Sequence, residues 1–284
     1  MEIGHDGLTL HIAEDGPVQG PPVVLLHGIT SSGGTWNWLV PQLADRYRVL
    51  RLDFRGHGRS GRLERPYDYP GYVSDAVAVC EQAAAGQPAV VVGHSLGGGA
   101  AVALAQQRPD LVRAVVLEDP ALAGSTEIGD NSLMEGFRLM RDLIPQVQES
   151  GMPVDDLVAA IADLPSAATG ARLGDELFAD SLRATAEALL VLDVSVLDVV
   201  LDGTLVPPFD ATQPIPVPGV LLAADPASPD AVTRPSHLEI LARTSPHLQA
   251  WPVPGATHLI HGSITTREVF TAAMRGLLAG LPAT

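Results

Sequence analysis

The chain has 284 residues, a length that fits one large domain with an inserted subdomain better than two independent domains. Hydrophobic residues make up 46% of it and charged residues 18%, which excludes a disordered or fibrous protein. The 17 Lys plus Arg stand against 33 Asp plus Glu, and the net charge of −16 makes nucleic acid and anionic membranes unsuitable partners.

The cysteine count and the lengths of the apolar segments indicate where in the cell the protein is expected. The one cysteine, Cys80, can form neither an internal disulfide nor a cysteine metal cluster. No segment reaches the roughly 18 uninterrupted apolar residues that a membrane span needs. We therefore expect a soluble, cytoplasmic protein without membrane contact. The sequence does not predict its oligomeric state.

Short runs rich in β-branched and aliphatic residues predict five strands, at 23–26, 49–52, 89–92, 114–117 and 220–223. Most of these runs are apolar at successive positions, which is typical of strands covered on both faces. Helices are predicted between them, most clearly at 72–85 and 98–107. This alternation predicts an α/β fold with a mostly parallel central sheet flanked by helices.

From 121 to 210 the pattern changes to Leu and Ala at helical spacing. Pro145, Pro153 and Pro165 are expected to break it. We interpret 121–210 as a helical cap inserted into a core formed by 1–120 and 211–284. The Pro-rich stretch at 207–218 is expected to lead the chain back to a strand.

The sequence Gly93-His94-Ser95-Leu96-Gly97 follows a predicted strand and precedes a predicted helix. It is a G-x-S-x-G nucleophile elbow in its required context, a sharp turn that exposes the serine hydroxyl at the edge of a sheet. The flanking glycines let neighbouring backbone approach the strained serine closely. Ser95 is therefore the predicted nucleophile.

A serine hydroxyl needs a base that takes its proton and later returns it to a leaving group. His258 lies near the C-terminus, after every predicted strand, where the order serine, acid, histidine places that base. His261 is the alternative, but it lies where a closing helix would begin. We favour His258.

The predicted strand at 23–26 is followed by His27-Gly28-Ile29-Thr30. A loop at this place can direct a backbone N–H toward a developing oxyanion, and we assign that donor to Ile29. The second donor is expected to be the N–H of Leu96, directly after the nucleophile.

Four segments together resemble the α/β-hydrolase superfamily: His27-Gly28, DFRGHGRS at 53–60, GHSLGG at 93–98 and GATH at 255–258. They match in order and approximate spacing over nearly the whole chain. The resemblance implies that 53–60 is a structural loop. The predicted cap matches only as a helical insertion, and Thr257 replaces the glycine that usually precedes the histidine.

Asp119, Asp230 and Asp225 are the candidates for the acid that orients the histidine, with Glu118 a remote fourth. Asp119 directly follows the strand at 114–117, as in members such as haloalkane dehalogenases and zearalenone lactonases. Asp230 has the commoner spacing to the histidine but needs a longer loop after its strand. Asp225 lies at the strand end itself. We favour Asp119 and keep the other two open.

These residues predict a serine hydrolase that cleaves a carboxylic ester or lactone through an acyl-enzyme. Carbon–carbon bond hydrolysis, thioester hydrolysis and perhydrolysis use the same residues and remain alternatives, as does a small-molecule receptor with little turnover. No metal or other cofactor is expected, because zinc-type clusters and the G-x-G-x-x-G fingerprint are missing from the sequence. The expected partner is a small apolar ester or lactone, with Trp36, Phe137 and Met140 as candidate contacts.

Overall fold

A computed structural model describes residues 1–64, 66–124, 131–210 and 212–282. These residues form eight strands: β1 Glu2–His5, β2 Leu8–Asp15, β3 Pro22–Leu26, β4 Arg48–Leu52, β5 Ala89–His94, β6 Val112–Glu118, β7 Gly219–Ala223 and β8 Leu248–Pro252. They also form ten α-helices: α1 Val40–Leu43, α2 Tyr69–Ala78, α3 Leu96–Gln107, α4 Ser132–Ser150, α5 Val154–Asp163, α6 Leu173–Glu176, α7 Ala179–Leu189, α8 Val196–Leu201, α9 Pro235–Thr244 and α10 Arg267–Gly280. A π-helical turn, Val79–Ala83, continues α2.

The strands make one sheet in the order β1-β2-β4-β3-β5-β6-β7-β8. Strands β3 to β8 pair in parallel, whereas β1 and β2 form an antiparallel edge. This architecture confirms the predicted α/β fold with a mostly parallel sheet. All five predicted strands are present, each slightly longer than its apolar run.

The central strands β3 and β5 are rich in apolar residues because both faces of the sheet are covered. Successive residues of β3 point to opposite faces: Val24 belongs to one apolar cluster and Val23 to another. Every residue of β3 and of β5 is buried. The buried β5 thereby carries the segment that follows it to the middle of the sheet.

Three strands were not predicted: β1, β2 and β8. All three lie at or near the edges of the sheet, where one face or one side of a strand remains exposed. In β2 the buried positions alternate, with Leu10 and Ile12 inward. A search for unbroken apolar runs therefore misses such strands.

Helices α4 to α8 lie between β6 and β7 in the part of the chain that the structure describes. Pro153 precedes α5 and Pro165 follows it, as expected, but the predicted break at Pro145 is wrong because α4 continues through it. Packing of Met134, Phe137 and Ile144 from this helix outweighs the one hydrogen bond that a proline removes.

The division into a core at 1–120 and 211–284 and a cap at 121–210 stays a prediction. Residues 125–130 and residue 211, which include the second boundary, lie outside the described residues. Among the helices that are described, none combines the length and apolar character needed to cross a bilayer.

Candidate active site

Ser95 lies at the sharp turn between β5 and α3. Its backbone has φ 53° and ψ −114°, an unusual conformation for a residue with a side chain. The strand and the helix meet so closely that a Cβ on Gly93 would lie 2.3 Å from the carbonyl oxygen of Gly97. A Cβ on Gly97 would lie 2.5 Å from the carbonyl oxygen of Leu26. The two glycines of the motif are thus required by close backbone contact.

His258 is hydrogen-bonded to Asp119. The imidazole Nδ1 lies 2.6 Å from the Asp119 Oδ2, and because a carboxylate can only accept, the Nδ1 carries the proton. The Nε2 is therefore the atom left to accept a proton. Both side chains are buried, and Asp119 has no exposed surface.

Backbone donors hold the Asp119 carboxylate in place. It accepts the N–H of Val232 at 3.0 Å, of Thr233 at 3.0 Å and of Ala224 at 3.2 Å. The loop after β7 thus wraps around the end of β6 and fixes the acid. Asp119 itself has φ 35°, a second backbone conformation that is uncommon outside glycine.

The surroundings raise the pKa of His258. Burial alone would lower it, but the hydrogen bond and charge of Asp119, together with the charges of Asp230 and Glu118, outweigh that effect. Such surroundings stabilise the imidazolium that forms when the ring accepts a proton.

The other candidate acids have different partners. Asp230 accepts the hydroxyl of Ser228 at 2.6 Å. Asp225 accepts the N–H of Gly255 at 2.7 Å and of Ala227 at 2.9 Å, and these bonds hold the pKa of its carboxyl below the usual range. Of the four carboxylates considered, the structure brings Asp119 to His258.

Glu118 forms a second pair, with His261. Its carboxylate lies 2.6 Å from the His261 Nδ1 and accepts the His261 N–H at 2.8 Å, and both side chains are fully buried. The His261 Nε2 lies 2.9 Å from the Thr35 hydroxyl. Burial opposes the charge of Glu118, but the neighbouring His261 and His94 hold the pKa of its carboxyl below its usual value. His261 therefore lies behind the site and anchors the loop that carries His258.

The assignment of Trp36 to the substrate site is wrong. Its side chain is fully buried and stacks on His261 with the ring centroids 4.4 Å apart. Phe270 packs against it at 5.8 Å, so Trp36 belongs to the core behind the site. An aromatic residue shortly after the Ile29 loop suggested a substrate contact, but the direction of its side chain depends on packing partners distant in sequence.

The two predicted oxyanion donors lie beside Ser95. Ile29 follows β3 and Leu96 begins α3, and within the described residues neither backbone N–H has a hydrogen-bond acceptor. The His57 Nε2 lies 2.6 Å from the Ile29 carbonyl oxygen, and this contact anchors the loop that carries Ile29.

Ser95, His258 and Ile29 line a cavity of about 260 Å³. Its far side is formed by apolar residues from the segment between β6 and β7, namely Leu133, Phe137, Met140, Ile161, Leu173 and Leu177. Phe137 and Met140 were predicted contacts. Glu176 and Asp230 also line the cavity, and no sequence pattern singled out Glu176. Within the described ranges, no group of three or more His, Cys, Asp or Glu is placed to hold a metal ion.

Known proteins resemble the chain over different extents. The family model described as alpha/beta hydrolase fold matches residues 21–190. The 2-(acetamidomethylene)succinate hydrolase of Mesorhizobium japonicum is 39% identical over 119 residues, 42% of this chain and 41% of that protein. Lipase LipV of Mycobacterium tuberculosis is 40% identical over 116 residues, 41% of this chain and 43% of that protein. The chain thus matches less than half the length of these two relatives.

Solved structures resemble the chain over almost its full length. The crystal structure of E-2-(acetamidomethylene)succinate hydrolase has a TM-score of 0.72 at 23% identity and covers 99% of this chain and 98% of its own. The enol-lactonase from Burkholderia xenovorans LB400 has a TM-score of 0.71 at 21% identity, with 98% and 100% covered. At these identities the likeness establishes the fold.

Proposed function

The chain belongs to the α/β-hydrolase family, and from that membership we propose that it is a serine hydrolase acting on a carboxylic ester or lactone. The observation that carries the proposal is the hydrogen bond of 2.6 Å between His258 and Asp119 in a cavity that also holds the strained Ser95. The nucleophile Ser95 follows β5, and the orienting acid Asp119 follows β6. The base His258 lies in the loop after β8.

In the proposed mechanism the Ser95 hydroxyl attacks the substrate carbonyl while the His258 Nε2 takes its proton. Asp119 holds the ring by its Nδ1–H and stabilises the imidazolium. The N–H groups of Ile29 and Leu96 donate to the oxyanion, and each such donor contributes on the order of 3–4 kcal/mol in the transition state.

Collapse of the tetrahedral intermediate breaks the bond to the alcohol oxygen, which receives the proton from His258. An acyl group then remains on Ser95. Water attacks this ester, with His258 as the base again, and releases the acid. In a lactone the leaving alcohol stays attached to the acyl group, so both ends leave together after the second step.

We propose that α4 to α8 act as a cap over the site. Their apolar side chains close the cavity opposite Ser95, and the cavity volume of about 260 Å³ suits a small substrate. Exclusion of water by such a cover strengthens the hydrogen bonds to the oxyanion. The single buried Cys80 supports a cytoplasmic location, which remains a prediction.

The names of the relatives cover several hydrolytic reactions, including those of a lipase and of epoxide hydrolase B of Mycobacterium tuberculosis. Attack of a serine on an epoxide would leave an ether on the enzyme, which water with a histidine base does not cleave. Attack on an acyl carbon instead leaves an ester, which water can cleave. Ser95 therefore favours acyl transfer. Thioester hydrolysis, carbon–carbon bond hydrolysis and perhydrolysis share its first step and remain alternatives.

Turnover of p-nitrophenyl esters and lactones by wild type, Ser95→Ala and Ser132→Ala tests the proposal. Ser132 lines the same cavity but lies at the start of α4, so it is the matched control. We expect Ser95→Ala to lose essentially all hydrolysis with its fold intact, and Ser132→Ala to remain clearly active. Retention of a tenth of wild-type turnover by Ser95→Ala would overturn the assignment. A burst of p-nitrophenol also distinguishes an enzyme from a receptor.

A further inference from the structure

Two carboxylates line the cavity that contains Ser95. Asp230 belongs to the loop after β7, and Glu176 is the last residue of α6. They reach the cavity from two sides, one from the carboxyl edge of the sheet and one from the helices that cover it. A molecule bound in the cavity therefore lies near both carboxylates.

Neither carboxylate has a cationic partner in the part of the chain that the structure describes. Asp230 accepts the Ser228 hydroxyl, and Glu176 accepts the Thr169 hydroxyl. The charge of Asp230 also contributes to the raised pKa of His258, which agrees with a position close to the base. Both groups thus keep an unneutralised negative charge at the cavity.

The described lining of the cavity contains no arginine, and the chain contains no lysine at all. Three arginines of the covering helices and of α10 form ion pairs with other residues: Arg141 with Asp198, Arg183 with Asp155 and Arg267 with Asp180. A carboxylate entering the cavity would find neither an arginine nor a lysine to pair with in the described lining. It would lose its hydration and approach two like charges, and both effects oppose binding.

We infer that this cavity rejects substrates that carry a carboxylate in their bound portion and accepts uncharged or cationic esters and lactones. The inference rests on the proposed function, because it concerns the selectivity of Ser95 acylation. Asp230 and Glu176 are its specificity-determining residues. The apolar side chains around them accommodate the uncharged part of the substrate.

Labelling of Ser95 by two rigid aryl fluorophosphonates tests this selectivity. One carries a para-carboxamide and the other a para-carboxylate; the groups are nearly equal in size, and the para position prevents attack of the carboxylate on its own phosphorus. The serine oxygen displaces fluoride, and His258 takes the proton. We expect wild type to react with the carboxamide at least about tenfold faster in its second-order rate constant.

The double variant Asp230→Asn/Glu176→Gln is expected to bring the two rate constants within about threefold of each other, since it removes both cavity charges. The control Asp155→Asn/Asp163→Asn removes the same number of charges from exposed positions of α5 and is expected to keep the wild-type preference. Because each comparison is a ratio within one variant, a general change in Ser95 reactivity cancels.

The outcomes separate the two claims. If neither probe labels Ser95, the proposed serine mechanism is wrong. If both probes label wild type equally fast, the mechanism stands and the charge selectivity is wrong. A preference that persists unchanged in Asp230→Asn/Glu176→Gln, or that disappears in the control, would also overturn the assignment to these two residues.

Discussion

Replacing Asp119 by Asn tests the proposed role of Asp119 in orienting His258. The Asp119 Oδ2 accepts both the His258 Nδ1–H and the Val232 N–H, while Oδ1 accepts the N–H groups of Thr233 and Ala224. An amide offers one accepting oxygen and one donating nitrogen. With the nitrogen toward Thr233 and Ala224 it would face two donors, so we expect the nitrogen to face His258.

An amide nitrogen in that position donates to the His258 Nδ1 and moves the ring proton to the Nε2. The base can then no longer accept the proton of Ser95. By analogy with the serine-protease triad, turnover should fall by as much as about 10⁴, a rise of about 5.4 kcal/mol in the activation free energy. The unpaired Val232 N–H should lower the free energy of unfolding by about 1–3 kcal/mol.

The assay compares kcat on one p-nitrophenyl ester for Asp119→Asn, Asp230→Asn and Asp225→Asn, with folding verified by circular dichroism. Asp230 and Asp225 bond to other groups, so their variants should lose far less activity. A nearly normal Asp119→Asn beside a crippled Asp230→Asn would refute the reasoning. It would mean that the acid acts from the loop after β7.

Three further expectations follow from the site and its supports. Because the raised pKa of His258 requires a higher pH to produce the neutral base, kcat/KM should rise with pH through an apparent pKa above the ordinary 6.5; a flat profile from about pH 5 to 9 would contradict this. Gly97→Ala should lower the unfolding free energy in urea by about 1–3 kcal/mol or more, because its Cβ would lie 2.5 Å from the Leu26 carbonyl oxygen. Gly276→Ala, with open space around its Cβ, should be harmless, and equal stability of the two variants would refute the packing argument. Glu118→Gln should lower the same free energy by about 1–3 kcal/mol, because an amide has one accepting oxygen where the carboxylate accepts both the His261 Nδ1–H and the His261 backbone N–H; an unchanged urea midpoint would contradict that pairing.

The sequence predicts the centre of the sheet better than its edges. Strands such as β3 and β5 are buried on both faces, so their apolar runs are unbroken. The edge strand β8 buries Leu248 and leaves its other positions partly or fully exposed, which gives no such run. Packing against residues distant in sequence also explains why α4 continues through Pro145, which local sequence alone does not predict.

Local motifs predict Ser95 as the nucleophile and His258 as its base, but they leave the acid open. The conformation of Ser95 is encoded by five adjacent residues, two of which are glycines. Which carboxylate reaches His258 depends on how the loop after β7 folds over Asp119, through Val232 and Thr233, more than a hundred residues away along the chain. Trp36 shows the same limit, since His261 and Phe270 determine its direction.

The central claim is that catalysis passes through an acyl group on Ser95. Rapid acid quenching during the burst with p-nitrophenyl acetate, followed by peptide mass spectrometry, measures this directly. The account predicts an acetyl group on Ser95 in amounts that match the burst of p-nitrophenol, and its absence from Ser95→Ala. Hydrolysis that proceeds with full turnover while Ser95 stays unmodified, or an acetyl group that accumulates on another residue in matching amounts, would contradict it.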